Sequence, residues 1–316
     1  MLTMRPARPK DRAALAAVGL SVVLWASAFV AIRSAGTAYS PGALALGRLL
    51  VGTTVLGAIS LVRREGWPAR GAWPGIVCSG LLWFGAYMVV LNWGEQKVDA
   101  GTAAMIVNVG PLLIAILSSR VLGEGLPRRL VVGMGVSFGG AVVVGISEFH
   151  SGGAPLFGVL LCLLAAGAYA VGVVSQKPAL RHAGALQVTT FGCLVGTVAC
   201  LPFSGALVSQ AAHAPLSATL DLVYLGVFPT ALAFTTWAFA LARTSAGRMG
   251  ATTYVVPALV VLMSWLLLGQ VPALLTLAGG ALCLGGVAVS RAGTRTPANS
   301  PVTAPAVAVA ADRGGS

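Results

Sequence analysis

Charge is what this sequence has least of: Asp, Glu, Lys and Arg make up 9% of its 316 residues, against about 25% in an ordinary soluble domain. So few ionisable groups cannot coat a fold of this length, which excludes a soluble enzyme or carrier. Acids are scarcest, eight in all, sparse and isolated, and no HExxH, GxSxG or P-loop appears. That removes the groups that metal-assisted prenyl or phosphoryl chemistry would need. The three histidines, His150, His182 and His213, map to loops between apolar runs. The five cysteines, Cys78, Cys162, Cys193, Cys200 and Cys283, sit inside apolar runs without CxxC spacing. They read as small hydrophobes, so no metal, disulfide or cofactor is expected and no enzyme activity.

Lys and Arg outnumber Asp and Glu, for a formal net charge of +12. The basic residues lie scattered between apolar runs rather than along a recognition helix, so nucleic acid is not the partner. A lipid bilayer is, because 57% of the residues are hydrophobic and they come in runs long enough to cross about 30 Å of hydrocarbon.

Ten such segments are expected: Ala13 to Arg33, Gly42 to Val62, Ala72 to Asn92, Gly101 to Ser119, Leu130 to Ser147, Leu156 to Ser175, Leu186 to Val208, Leu222 to Leu241, Gly250 to Leu268 and Leu274 to Ser290. The first is uncharged from Ala13 to Ile32, long enough to be a retained helix rather than a cleaved leader. No lipidation signal is visible at either end. With ten spans and both termini cytoplasmic, 17 of the 20 basic residues fall on one side, as the positive-inside rule requires. The exceptions are Arg33, Arg48 and Lys97. The acids divide evenly, which a rule about Lys and Arg permits. The closing stretch, residues 291–316, is rich in Pro, Ala, Ser and Thr and reads as a disordered cytoplasmic tail.

The chain also repeats itself. "VNVGPLLIAILSSRVLGE", beginning at Val107, and "TYVVPALVVLMSWLLLGQ", beginning at Thr253, align at an offset of 146 residues, which puts Pro111 on Pro257 and Leu122–Gly123 on Leu268–Gly269. The same offset pairs Gly101 with Gly247, Gly133 with Gly279 and Gly139–Gly140 with Gly285–Gly286. A weaker echo, "GAL" at Gly42 and at Gly184, sits at an offset of 142. The chain thus divides into a short N-terminal segment (1–12), two five-span repeats (13–149 and 155–290) and the tail (291–316). Because five is odd, the second repeat enters the membrane from the opposite side. Inverted repeats of this kind suit alternating access around a central site, although duplication also serves as scaffold alone.

"LWASAFVAIRSAG…SPGALALGRLL", "AYMVVLNWGEQKVDAGTAAMIVNVGPLLIAILSSRVLGE" and its second copy "WAFALARTSAGRMGATTYVVPALVVLMSWLLLGQ" resemble the EamA-type transporters of the drug/metabolite transporter superfamily. The resemblance covers about residues 13 to 290. It implies an all-α bundle of ten helices, export of amino acids or other small metabolites across the bacterial inner membrane, and a cavity lined by the first four helices of each repeat. It further implies that the fifth and tenth helices help a homodimer to form. Gln270 stands where the first copy has Glu124, a departure that puts a charged latch common to both ends in doubt.

Arg48 interrupts the second span, where facing lipid at midplane costs about 2.5–3.5 kcal/mol. It therefore faces the bundle, for gating or anion recognition, or snorkels to the interface; Arg33 suits interfacial anchoring. Pro111 and Pro257 each remove a backbone donor, which makes them hinges, exposed-carbonyl sites or plain kinks. Asn92 and Asn108 bridge helices or meet a substrate. Among the aromatic residues, Trp25, Tyr87, Tyr169, Trp237 and Tyr254 are the substrate-pathway candidates, with Phe29 and Trp83 in a wider set. Trp93 and Trp265 lie near span ends and suit interface anchors. Gly135/Gly139 and Gly192/Gly196 have the four-residue spacing of close helix packing. No acid is expected within the membrane, since Glu95, Asp99, Glu148 and Asp221 map to outer loops or ends and Glu124 to the cytoplasmic side. Facilitated diffusion or exchange is then as plausible as proton coupling.

The expected function is a secondary transporter for small metabolites, amino acids foremost. Efflux of lipophilic drugs is the alternative, and a receptor or purely structural membrane protein is the rival outside transport.

Overall fold

The computed structural model describes residues 9–98, 103, 106–148, 156–268 and 274–291, and among these every regular element is a helix. The ten helices are α1 (Pro9–Ala35), α2 (Pro41–Val62), α3 (Arg70–Glu95), α4 (Gly110–Val121), α5 (Arg128–Glu148), α6 (Leu156–Ala179), α7 (Ala185–Ala211), α8 (Leu216–Leu241), α9 in two pieces (Ala246–Thr252 and Val255–Leu268) and α10 (Leu274–Arg291). Six of them, α1 to α3 and α6 to α8, are long and apolar enough to cross a membrane. The N-terminal segment 1–8, the loop residues 149–155, Gln270 and the tail from 292 onward lie outside the described residues.

The helices outrun the apolar segments at several ends, because a helix continues through its polar interfacial turn. The eighth begins at Leu216 rather than Leu222, taking in Asp221, and the seventh continues to Ala211. The sixth runs to Ala179, so Lys177 stands in its last turn rather than in a loop. Glu95, expected in an outer loop or end, closes the helical run of α3.

Two further features follow the 146-residue offset. Both α3 and α8 widen into π-helix, at Gly80–Ala86 and Gly226–Leu232, insertions that bend a helix and often mark functional sites. In α8 the cause is legible. Pro229 lacks the N–H that would bond Leu225, and the Thr230 hydroxyl donates to that carbonyl instead, at 2.8 Å.

α5 and α10 form a close seam. A Cβ on Gly286 would stand 2.4 Å from the Gly133 carbonyl oxygen, and one on Gly140 would stand 2.6 Å from that of Gly279. Each contact is the other's copy at the same offset. Expected close packing at Gly135 and Gly139 is not found: these, like Gly285, face open space. Gly192 and Gly196 do pack, against Phe84.

The offset changes for the first two helices of each repeat. A Cβ on Gly80 would meet the Gly192 carbonyl oxygen at 2.9 Å and one on Gly226 the Arg48 carbonyl oxygen at 2.8 Å, the same contact made twice. Gly192 and Arg48 are 144 apart, as are Pro41 and Ala185 at the starts of α2 and α7. The "GAL" echo at 142 is therefore two residues out of structural register.

Candidate substrate cavity

The two proline breaks meet at the centre. Before Pro111 the helix tightens, with Val109 donating to Ile106 and Leu112 to Val109, each at 3.1 Å. Before Pro257, Thr253 donates to Gly250 at 3.0 Å and Val256 to Thr253 at 2.9 Å. These three-residue bonds are what remain when proline removes the four-residue one. Both prolines then line one cavity of about 90 Å³.

Its walls are drawn from both repeats in equivalent pairs. Trp25 and Tyr169 line it from α1 and α6, Met88 and Phe234 from α3 and α8, Val107 and Thr253 beside the two breaks, and the prolines themselves. The cavity thus sits on the pseudo-two-fold axis that relates the halves, where inverted-repeat transporters hold their sites. At about 90 Å³ it is contracted relative to the roughly 300–1,000 Å³ of occupied small-molecule sites.

An aromatic cluster forms one wall. The Trp25 ring lies 6.0 Å from Trp83 and 4.9 Å from Trp237, Trp83 lies 5.5 Å from Tyr169 and 4.7 Å from Phe234, and Tyr87 lies 5.8 Å from Tyr169. The Trp25 indole donates to the Pro229 carbonyl at 3.2 Å, anchoring the ring on the π-helical turn.

Arg48 breaks the symmetry, since its equivalent in the second repeat is Gly192. It is 5% exposed, lines the cavity, and its Nε donates to Thr230 Oγ1 at 3.2 Å. Among the described residues no carboxylate bonds to it, although the Glu95 charge acts on it. The Tyr169 hydroxyl, in the same wall, is buried, with the Thr253 side chain as its neighbouring polar group. Arg48 is therefore the one cation among the polar side chains of a largely apolar lining, which also holds Tyr87, Asn108, Tyr169 and Thr253.

A second cavity, of about 120 Å³, adjoins the first across Ile32 and is lined by Arg33, Asn92 and Glu95. The Asn92 amide nitrogen donates to the Pro41 carbonyl at 3.2 Å. Its oxygen, and Glu95 Oε1, are buried without partners.

Of the sequence candidates, Trp25, Arg48, Tyr87, Asn108, Tyr169, Pro111 and Pro257 line the central cavity, as does Phe29. Asn92 lines the neighbouring one. Trp237 and Tyr254 line neither, and both are fully buried. Trp237 lies beneath Trp25 as packing, and Tyr254 points into the cluster formed with Met134 and Val287 of the α5–α10 seam. Trp93 is half-exposed against Phe157, and the Trp265 side chain lies outside the described ones.

The sequence pattern of the EamA-like transporter family matches residues 12–146 and again 156–292. The chain belongs to that family. Within it, the chain is 37% identical over 275 residues to a protein of Streptantibioticus cattleyicolor named "Probable terminal-alkyne amino-acid exporter", covering 86% of this chain and 91% of that one. It is 34% identical to the "Uncharacterized transporter YdfC" of Bacillus subtilis, covering 85% and 87%. A solved crystal structure superposes with a TM-score of 0.73 at 25% identity, over 88% of this chain and 98% of that one. This EamA-like protein is accordingly a multi-pass membrane transporter and not an enzyme.

Sequence reasoning gave no priority to Trp83 and missed Phe234 and Thr253 as cavity residues of this EamA-like chain. One signal was available. Gly80 and Gly226 obey the same offset as the prolines, and Trp83 and Phe234 lie within or just after the π-helical segments those glycines open.

Proposed function

We propose that the protein exports a small amino-acid-like metabolite by alternating access, with the substrate carboxylate at Arg48 and its apolar side chain among Trp25, Trp83 and Tyr87. The observation that carries this reading is a buried arginine without a carboxylate partner in the wall of an aromatic chamber. The Glu95 charge acts on Arg48 without bonding to it, and a bound carboxylate would make the charge-assisted hydrogen bonds that no protein carboxylate makes there. Tyr169 and Thr253, in the same lining, carry further hydroxyls. A short, linear, apolar side chain such as that of an alkynyl amino acid, the cargo named for the Streptantibioticus relative, suits a chamber of this kind.

The proposed setting is the bacterial inner membrane with both termini cytoplasmic, on the strength of the basic-residue distribution. The test is efflux from preloaded proteoliposomes of labelled aliphatic, alkynyl and aromatic amino acids, with and without an imposed pH gradient. Saturable release of amino acids that is lost when the carboxylate is amidated supports the reading. Release of uncharged lipophilic compounds but not of amino acids would favour drug efflux, which the aromatic wall also supports.

A further inference from the structure

The two ends of the bundle differ in how they are tied. At the end where α4, α6 and α8 finish, two charged side chains grip the turn between α8 and α9. The Lys177 ammonium, in the last turn of α6, donates to the carbonyls of Leu241 and Thr244. Glu124 accepts from the backbone amides of Ala246 at 2.7 Å and Gly247 at 3.3 Å. Gly123, at a φ of 66°, makes the left-handed turn that brings Glu124 back from α4.

At the end where α1 and α3 finish, the corresponding grip is open. Arg33 stands two residues before the end of α1, as Lys177 does in α6, and the two are 144 apart, the offset that relates those helices. The 146 offset carries Leu241 and Thr244 onto Glu95 and Val98. Yet Arg33 is exposed and makes no hydrogen bond or ion pair among the described residues, although its charge acts on Glu95. Arg33, Asn92 and Glu95 line the second cavity together, and Asn92 Oδ1 and Glu95 Oε1 are buried and unpartnered.

We propose that Lys177 and Glu124 are the gate-positioning residues of one end and Arg33 that of the other, and that transport alternates between the two grips. When the Lys177 end opens, Arg33 closes onto the end of α3, taking up the oxygens of Asn92 and Glu95. Arg33 and Lys177 thus hold equivalent places but are engaged in turn.

The experiment needs no knowledge of the substrate. Spin labels at Thr37→Cys and Gln96→Cys, both at the mouth of the second cavity, report its width in liposomes, with Cys78 replaced to remove the native thiol that is not fully buried. Lys177→Met and Glu124→Ala should shift the population toward the short distance by about tenfold or more, since each loses hydrogen bonds to a charged group. Arg33→Met should abolish that short population, alone and combined with Lys177→Met. An unchanged distribution in folded Lys177→Met protein overturns the proposal. Should the Lys177 and Glu124 variants fail to fold, Arg33→Met decides alone, because Arg33 makes no bond in this structure whose loss would unfold it. A short population that survives in it overturns the proposal. The expected distance changes in these variants, with no amino-acid efflux by the unsubstituted protein, would instead fault the substrate assignment.

Discussion

Ser137 and Cys283 exchange hydrogen bonds: the serine hydroxyl donates to the Cys283 carbonyl at 3.0 Å, and the cysteine thiol donates to the Ser137 carbonyl at 3.4 Å. They are 146 residues apart, the repeat offset itself, so the pseudo-two-fold axis passes between them. The α5–α10 seam is thereby a self-paired interface within one chain, of the kind an isologous dimer makes between two.

That seam leaves no room for larger side chains. Gly286→Val should lower the thermal midpoint of the purified protein, since overpacking costs about 1–3 kcal/mol and the obstructing atoms here include the Gly133 carbonyl oxygen at 2.4 Å. Gly285→Ala, with nothing within 4 Å of its Cβ, should leave the midpoint unchanged or raise it. Equal behaviour of the two variants in detergent melts would refute the packing account.

Arg48→Gln should reduce carboxylate efflux by about tenfold or more, given about 1.5–3 kcal/mol for a hydrogen bond to a charged group, while an uncharged analogue of the same shape is spared. Thr230→Val removes the acceptor for Arg48 Nε and should raise KM by a smaller factor. Kinetics on reconstituted protein, corrected for abundance, separate these outcomes.

Pro111→Ala and Pro257→Ala restore a helical donor beside the cavity. The expected result is lower flux at unchanged membrane abundance, as for residues that set a hinge. Normal flux in both would leave the prolines as kinks without a part in the cycle.

Trp237 has a different test. Its indole nitrogen is buried without a hydrogen-bond partner, so Trp237→Phe forfeits ring volume but no bond and should fold. Trp237→Ala should cost about 3–5 kcal/mol, as for large core aromatics, and appear as loss of folded protein. Reduced flux in a well-folded Trp237→Phe protein would bring this residue back toward the substrate path.

The repeat, the spans and the family were legible because they rest on features a linear pattern keeps: charge placement, apolar length, and Gly and Pro at one offset. Cavity membership was less so. A helix that is apolar all round gives no period from which to read its inward face, which is why Trp237 and Trp25, both within apolar runs, looked alike. The π-helical turns also change the rotational phase of everything after them, and it is through them that Trp83 and Phe234 come inward. Glu95 was assigned to an outer loop or end by its distance from the apolar run, whereas its helix carries it to the wall of the second cavity.

Glu124 bonds to main-chain amides, and Lys177 to main-chain carbonyls, of the turn between α8 and α9. Any amino acid supplies those partners, with proline alone lacking the amide. The grip thus holds the backbone itself, and the identity of the turn's side chains is constrained by packing, as at the buried Leu241 and Ala246, rather than by the two charges.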